Sequence, residues 1–121
     1  MAVPQPSRIQ TVEEIAVFVT AAILLRKPVS AIYNQHRRSL CPHVLGRNKT
    51  GELHVLCYQF AGGSVSGLHA QGSPDNWRCI CLAKLKSVSL LENETWRTAE
   101  RHSRTQSCIA EVLFDSEKPI T

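Results

Sequence analysis

Tyr33, Arg38 and Arg78 are the residues of this 121-residue chain best suited to recognition chemistry. A guanidinium presents a planar fork of donors that grips a phosphate or carboxylate bidentately, while a phenol ring offers a face on which a base can stack. Gln59 and Ser66 can add neutral hydrogen bonds to the same surface, and His43, behind Pro42, is either a turn residue or a ligand contact. The alternative is structural: Arg38 hydrogen-bonds the phenol, Arg78 caps the carbonyls of a neighbouring strand, and Trp77 is a packing anchor. Catalysis has less to stand on. The acids fall at helix starts, turns and the tail, so no paired carboxylates are implied, and no cysteine sits beside a histidine. Cys79-x-Cys81 with His43, His54 and His69 could be assembled into a zinc site on paper. The one-residue gap inside a strand is unlike the usual turn-borne knuckle, so no metal and no cofactor is expected. Gly62-Gly63-Ser64-x-Ser66-Gly67 has the composition of a phosphate loop but lacks its Lys-Ser/Thr and a following helix; a barrel loop is the simpler reading.

The elements that must position these residues follow from patterning. Residues 1–10 form a loose leader. Thr11-x-x-Glu14 is a capping box that opens a helix running to about Arg26, where Pro28 stops it. The helix interior, IAVFVTAAILL, is apolar nearly all round, which predicts burial on one side by a sheet and on the other by a second subunit or partner. Val29–Asn34 and Arg37–Leu45 are expected strands joined at Gln35-His36. That turn sets Tyr33 directly opposite Arg38, with Cβ atoms roughly 5 Å apart. Pro42 requires strand two to bend or to lie at an edge. Glu52–Phe60 is strand three, with Leu53, Val55 and Cys57 on one face and Leu56, Tyr58 and Phe60 on the other, as a small closed barrel with a covering helix requires. Ala61–Asn76 is a sixteen-residue loop with four glycines, a length that marks loops with a function or without order. Trp77–Leu82 is strand four, Lys84–Leu91 a fifth strand or strand-like turn, and Cys108–Phe114 a last apolar segment leaning towards strand.

Composition bounds the rest. Apolar residues make up 43% and charged residues 20%, an ordinary globular balance for one domain. A net charge of +4 suits either an anionic ligand or plain solubility. The longest apolar run, Ile15–Leu25, falls well short of the ~20 residues that span a bilayer, and no secretory pattern precedes it. The five cysteines are therefore expected as reduced, buried thiols in a cytoplasmic protein with no membrane association.

The order of these residues resembles the WYL domain family, in the compact stand-alone form found in bacteria. The resemblance rests on Ala31-Ile32-Tyr33, Arg38, Pro42-His43-x-x-Gly46 and Gly51 before strand three. It continues through Tyr58-Gln59-x-x-Gly62-Gly63-x-x-Ser66 and Trp77-Arg78-x-Ile80-x-Leu82-x-Lys84-Leu85, covering about residues 12–91. Two positions depart from the family pattern. The naming tripeptide falls on Leu53-His54-Val55, a change of packing, and an arginine often found in strand four falls on Cys81, which removes a ligand contact. The resemblance implies an Sm-like or SH3-like barrel behind a helix, and a non-enzymatic sensor of nucleotides or oligonucleotides in transcriptional or phage-defence regulation. Such regulators usually add a winged helix-turn-helix, for which this chain has no room.

The expected fold is thus α+β, mainly β: one N-terminal helix, a five-stranded SH3/Sm-like barrel over residues 11–91, and a C-terminal extension, 92–121, packed on the same domain. The first functional reading is a module binding a phosphate-bearing ligand, a nucleotide or single-stranded oligonucleotide, through Tyr33, Arg38, His43, Gln59, Ser66 and Arg78. The second is an interaction module whose apolar helix and barrel edge form a homo-oligomer or meet a regulatory partner. A small nuclease is the third.

Overall fold

The computed structural model describes residues 9–65, 67–99 and 108–117. The α1 helix spans Val12–Leu25 and both halves of its capping box form. The Glu14 amide donates to Thr11 Oγ1 and the Thr11 amide donates to the Glu14 carboxylate, so two helix-start amides gain partners. Arg26 ends the helix in the left-handed region (φ 54), its amide closing on the Ala22 carbonyl. Ile15, Val19, Ala22 and Ile23 form the buried stripe. The leader expected at 1–10 lies mostly outside the described residues. Gln10, which is described, is tied down: its side-chain amide donates to the Val88 carbonyl and its side-chain oxygen accepts from the Val88 amide.

Six antiparallel strands follow: β1 (Val29–Tyr33), β2 (His36–Arg47), β3 (Leu53–Gly62), β4 (Trp77–Cys81), β5 (Lys86–Leu90) and β6 (Glu111–Asp115). Their order is β4-β3-β2-β1-β5, with β6 also on β2. A 3-10 turn at Leu82–Lys84 carries the chain from β4 at one edge to β5 at the other, which curls the sheet into a barrel-like form. The class is as expected, α+β and mainly β. Among the described residues the strand count is six rather than five because β6 extends the side of β2 that β1 vacates: β1 pairs with residues 36–40 of β2 and β6 with 44–47. Gly46 makes room for it, since a Cβ there would collide with the Glu111 carbonyl.

The β1–β2 register differs from expectation. The turn is Asn34-Gln35, both with positive φ (49 and 65), the geometry of a tight hairpin whose twist matches its strands. Tyr33 therefore faces His36, and Arg38 faces Ala31. The slip is two residues, and because side chains alternate with period two, Tyr33 and Arg38 keep a common face and meet diagonally. Strand two bends rather than lying at an edge. Its ladder to β3 shifts between Pro42 and Val44, so Leu40 and Leu45 enter one core while Cys41 and Val44 enter the other.

The larger core lies between α1 and the sheet, with Val29, Ala31, Leu40, Val55, Cys57, Ile80, Leu82 and Val88 among its members. The second, on the opposite face, contains Cys41, Val44, Leu56, Tyr58 and Trp77 and is covered by Phe60, Trp96, Ala99 and Ile109. Burial of both faces of β3 thus comes from α1 on one side and the C-terminal segment on the other. The Arg97 amide donates to Cys41 Sγ (3.2 Å), and its guanidinium lies over the Phe60 ring.

The cysteines need a correction. Cys41 and Cys57 are buried thiols and Cys81 is a half-buried one, but Cys79 and Cys108 are joined in a disulfide with Cα atoms 6.5 Å apart. The two are 29 residues apart in sequence, and no local pattern links them. Among the described residues no helix is long and apolar enough to cross a membrane.

Candidate functional site

At one end of the sheet face that carries the larger core, the apolar side chains give way to four polar ones. Arg38 sits on β2, Gln59 on β3, Arg78 on β4 and Tyr33 at the end of β1. Gln59 Oε1 accepts from both guanidiniums, from Arg38 Nη1 at 3.3 Å and from Arg78 Nε at 3.1 Å. Its amide nitrogen donates to the carbonyls of Ala61 (3.1 Å) and Gly63 (3.0 Å), which fixes the orientation of the side chain. Arg38 also donates through Nε and Nη2 to the Tyr33 carbonyl, at 3.2 and 3.0 Å, and stands 5.0 Å from the centroid of the Tyr33 ring. That distance is within cation–π reach.

Arg78 fastens the long loop. Its Nη1 donates to the Asp75 carbonyl (2.8 Å), and its Nη2 to the Gly67 carbonyl (2.9 Å) and Ser64 Oγ (3.4 Å). Asn76, fully buried, holds the same loop from inside: it accepts from the His69 amide and donates to the carbonyls of His69 and Ala70. The Tyr58 hydroxyl adds a bond to the Ser73 carbonyl. Gly62 opens the loop in the left-handed region (φ 94), and a Cβ there would collide with the Arg37 carbonyl. Only glycine meets both conditions without strain.

The electrostatics of the cluster are one-sided. Among the described residues no carboxylate lies within ion-pair distance of either guanidinium. Burial lowers the pKa of Arg38, and the like charge of Arg78 lowers it further; burial also lowers that of Arg78, partly offset by Asp75 at longer range. Two cations therefore converge on one neutral acceptor.

Four of the expected site residues, Tyr33, Arg38, Gln59 and Arg78, are brought together. Arg38 is only 3% exposed, so Arg78 and the Tyr33 ring form the more accessible part. Ser66 lies outside the described residues; Ser64 supplies the hydroxyl seen at Arg78. His43 is placed elsewhere, on the second core. Its ring stands edge-on to Trp77 (4.8 Å between centroids) and tilted against Trp96 (4.5 Å), with Nδ1 2.7 Å from the Cys41 carbonyl. Cys79-x-Cys81 does not offer a thiolate pair, Cys79 being disulfide-bonded, and among the described residues no group of three metal-binding side chains gathers.

Sequence reasoning missed Asn76 and the carbonyls of Gly67 and Asp75. Asn76, in the turn-forming run Ser73-Pro74-Asp75-Asn76, carried a signal. Backbone carbonyls carry none.

No family model matches the chain, and no curated protein matches it. Among solved structures it is similar to proteasome accessory factor B/C of Arthrobacter aurescens, with a TM-score of 0.56 and 16% identity over 88% of this chain. The chain spans 16% of that protein's length. At this identity the likeness is one of fold.

Proposed function

We propose that this domain is a non-enzymatic ligand-sensing module that takes a phosphate-bearing ligand, a nucleotide or short single-stranded oligonucleotide, at the Tyr33–Arg38–Gln59–Arg78 cluster. The observation that supports it most is the shared Gln59 acceptor between two partly desolvated guanidiniums with no ion-paired carboxylate. Such a cluster has cationic charge in excess, and an anion relieves it. Arg78, which keeps one Nη1 hydrogen beyond its bonds to Gln59, Asp75, Gly67 and Ser64, is the accessible cation, Tyr33 the stacking surface, and Arg38, almost wholly buried, a positioning residue that holds Gln59 and the hairpin end. The fold likeness to a proteasome accessory factor is compatible with a regulatory role.

Thermal-shift and calorimetric titration with ATP, cyclic mononucleotides and a short single-stranded RNA test this. Saturating ligand should raise Tm through mass action. Arg78→Ala should abolish the shift, and Arg78→Lys, which keeps the charge but loses the fork, should weaken it. Equal shifts in wild type and both variants, or none with any probe, would overturn the reading.

A second reading, an interaction module, is favoured by a different observation. Val17 (69% exposed), Leu24 (54%) and Leu25 leave the outer face of α1 apolar and open to solvent.

A further inference from the structure

We infer that the outer face of α1 is a two-fold interface for a second copy of this chain, the two helices packing antiparallel across Thr20 and Ala21. This rests on the interaction reading and is independent of the anion site. Val17, Thr20, Ala21 and Leu24 stand three and four residues apart, so they form one stripe, opposite the buried Ile15–Val19–Ala22–Ile23 stripe. Together with Ala16 and Phe114 of β6 they line an open apolar groove of about 410 Å³. On the same strand, Val112 and Leu113 are also exposed.

The occupant follows from the symmetry of the stripe. Its centre is small (Thr20, Ala21), which lets two helix backbones approach closely, and its flanks are large (Val17, Leu24). A two-fold axis between Thr20 and Ala21 sets Val17 of one copy beside Leu24 of the other, twice. Charge obeys the same symmetry. The helix begins with Glu13 on this face, continues without any charge from Ile15 to Leu25, and ends at Arg26-Lys27. The same axis brings Glu13 of each copy towards the helix end of the other, just past which Lys27, whose ammonium donates to the Glu92 carbonyl (3.4 Å), is the nearest cation after Arg26. A parallel pairing would instead set Glu13 against Glu13. Large against large, small against small and acid against base all hold for one arrangement, an isologous antiparallel contact.

Sedimentation equilibrium of the full chain tests this, with circular dichroism to confirm folding. Wild type should dimerise, and Val17→Glu or Leu24→Glu, both at exposed positions, should give monomers with unchanged helicity. Glu13→Lys and Lys27→Glu should each weaken the dimer, by roughly tenfold because the axis applies every substitution twice. The double reversal should restore it, which a merely structural role for either residue would not do. A wild-type monomer throughout overturns the proposal. A dimer indifferent to Val17→Glu and to the charge reversals also overturns it, while leaving the broader interaction reading standing. Nucleotide shifts measured on the Val17→Glu monomer report separately on the anion site.

Discussion

Gln59 Oε1 is the atom on which the candidate site turns, because it accepts from two cations at once. Replacing Gln59 by leucine leaves buried guanidinium donors without their acceptor and should cost about 2–3 kcal/mol in a urea unfolding experiment. Gln59→Glu should harm binding. A carboxylate there neutralises Arg38 and Arg78 internally, so the variant should lose at least about tenfold in nucleotide affinity, charge-assisted bonds being roughly twice as strong as neutral ones. It also loses the amide donor to the Ala61 and Gly63 carbonyls, so its urea midpoint should not rise. Undiminished nucleotide affinity in the glutamate variant would mean that the two cations are not the anion site. The thiols make a pH prediction. Burial pushes Cys41 up from an ordinary 9.0 to about 11, against the weaker opposing pull of the Arg97 amide, and pushes Cys57 well above 9.0 as well. A raised pKa in the folded state means stability is fully present below pH 9 and is lost as pH rises towards 11 and beyond, since the unfolded thiols ionise first. Urea midpoints should fall across that window, and Cys41→Ala should flatten the fall.

Among the elements, the 61–76 loop and β6 depend most on single residues. Asn76 makes three hydrogen bonds to the loop backbone at His69 and Ala70. Asn76→Ala should lower stability by about 1–3 kcal/mol and open the loop to limited proteolysis, with α1 helicity unchanged. If cleavage is no faster, the loop is held chiefly by Arg78. The hairpin shows why elements were easier to foresee than their register. Alternation and turn chemistry predicted two strands and a tight turn, but Asn34, which tolerates positive φ, drew the turn one residue earlier than Gln35-His36. The partnership of Tyr33 and Arg38 survived because the slip was even.

For the whole molecule, the C-terminal segment is the part that composition understated. It covers the second face of β3 through Trp96, Ala99 and Ile109, adds β6 to β2, and joins β4 through Cys79–Cys108. The bridge closes a sequence separation of 29 residues, which in the chain-entropy picture is worth about 3–4 kcal/mol. Cys108→Ser, or reduction, should lower the unfolding free energy by that order. It should also speed hydrogen exchange at β6 more than at β1, as mass spectrometry can read. Equal exchange in both strands would place the stabilisation elsewhere.

The chain's local chemistry determined α1, its capping box, the strand faces and the common face of Tyr33 and Arg38 on their hairpin. Capping and alternation act between residues a few positions apart, and the chain states them directly. Long-range closure was decided only in the tertiary structure: the seat of β6 on Gly46, the Cys79–Cys108 bond, the burial of His43 between two tryptophans, and the capture of Arg78 by loop carbonyls. Those contacts join segments tens of residues apart, several through backbone atoms that every residue shares, so no pattern of side chains along the sequence records them.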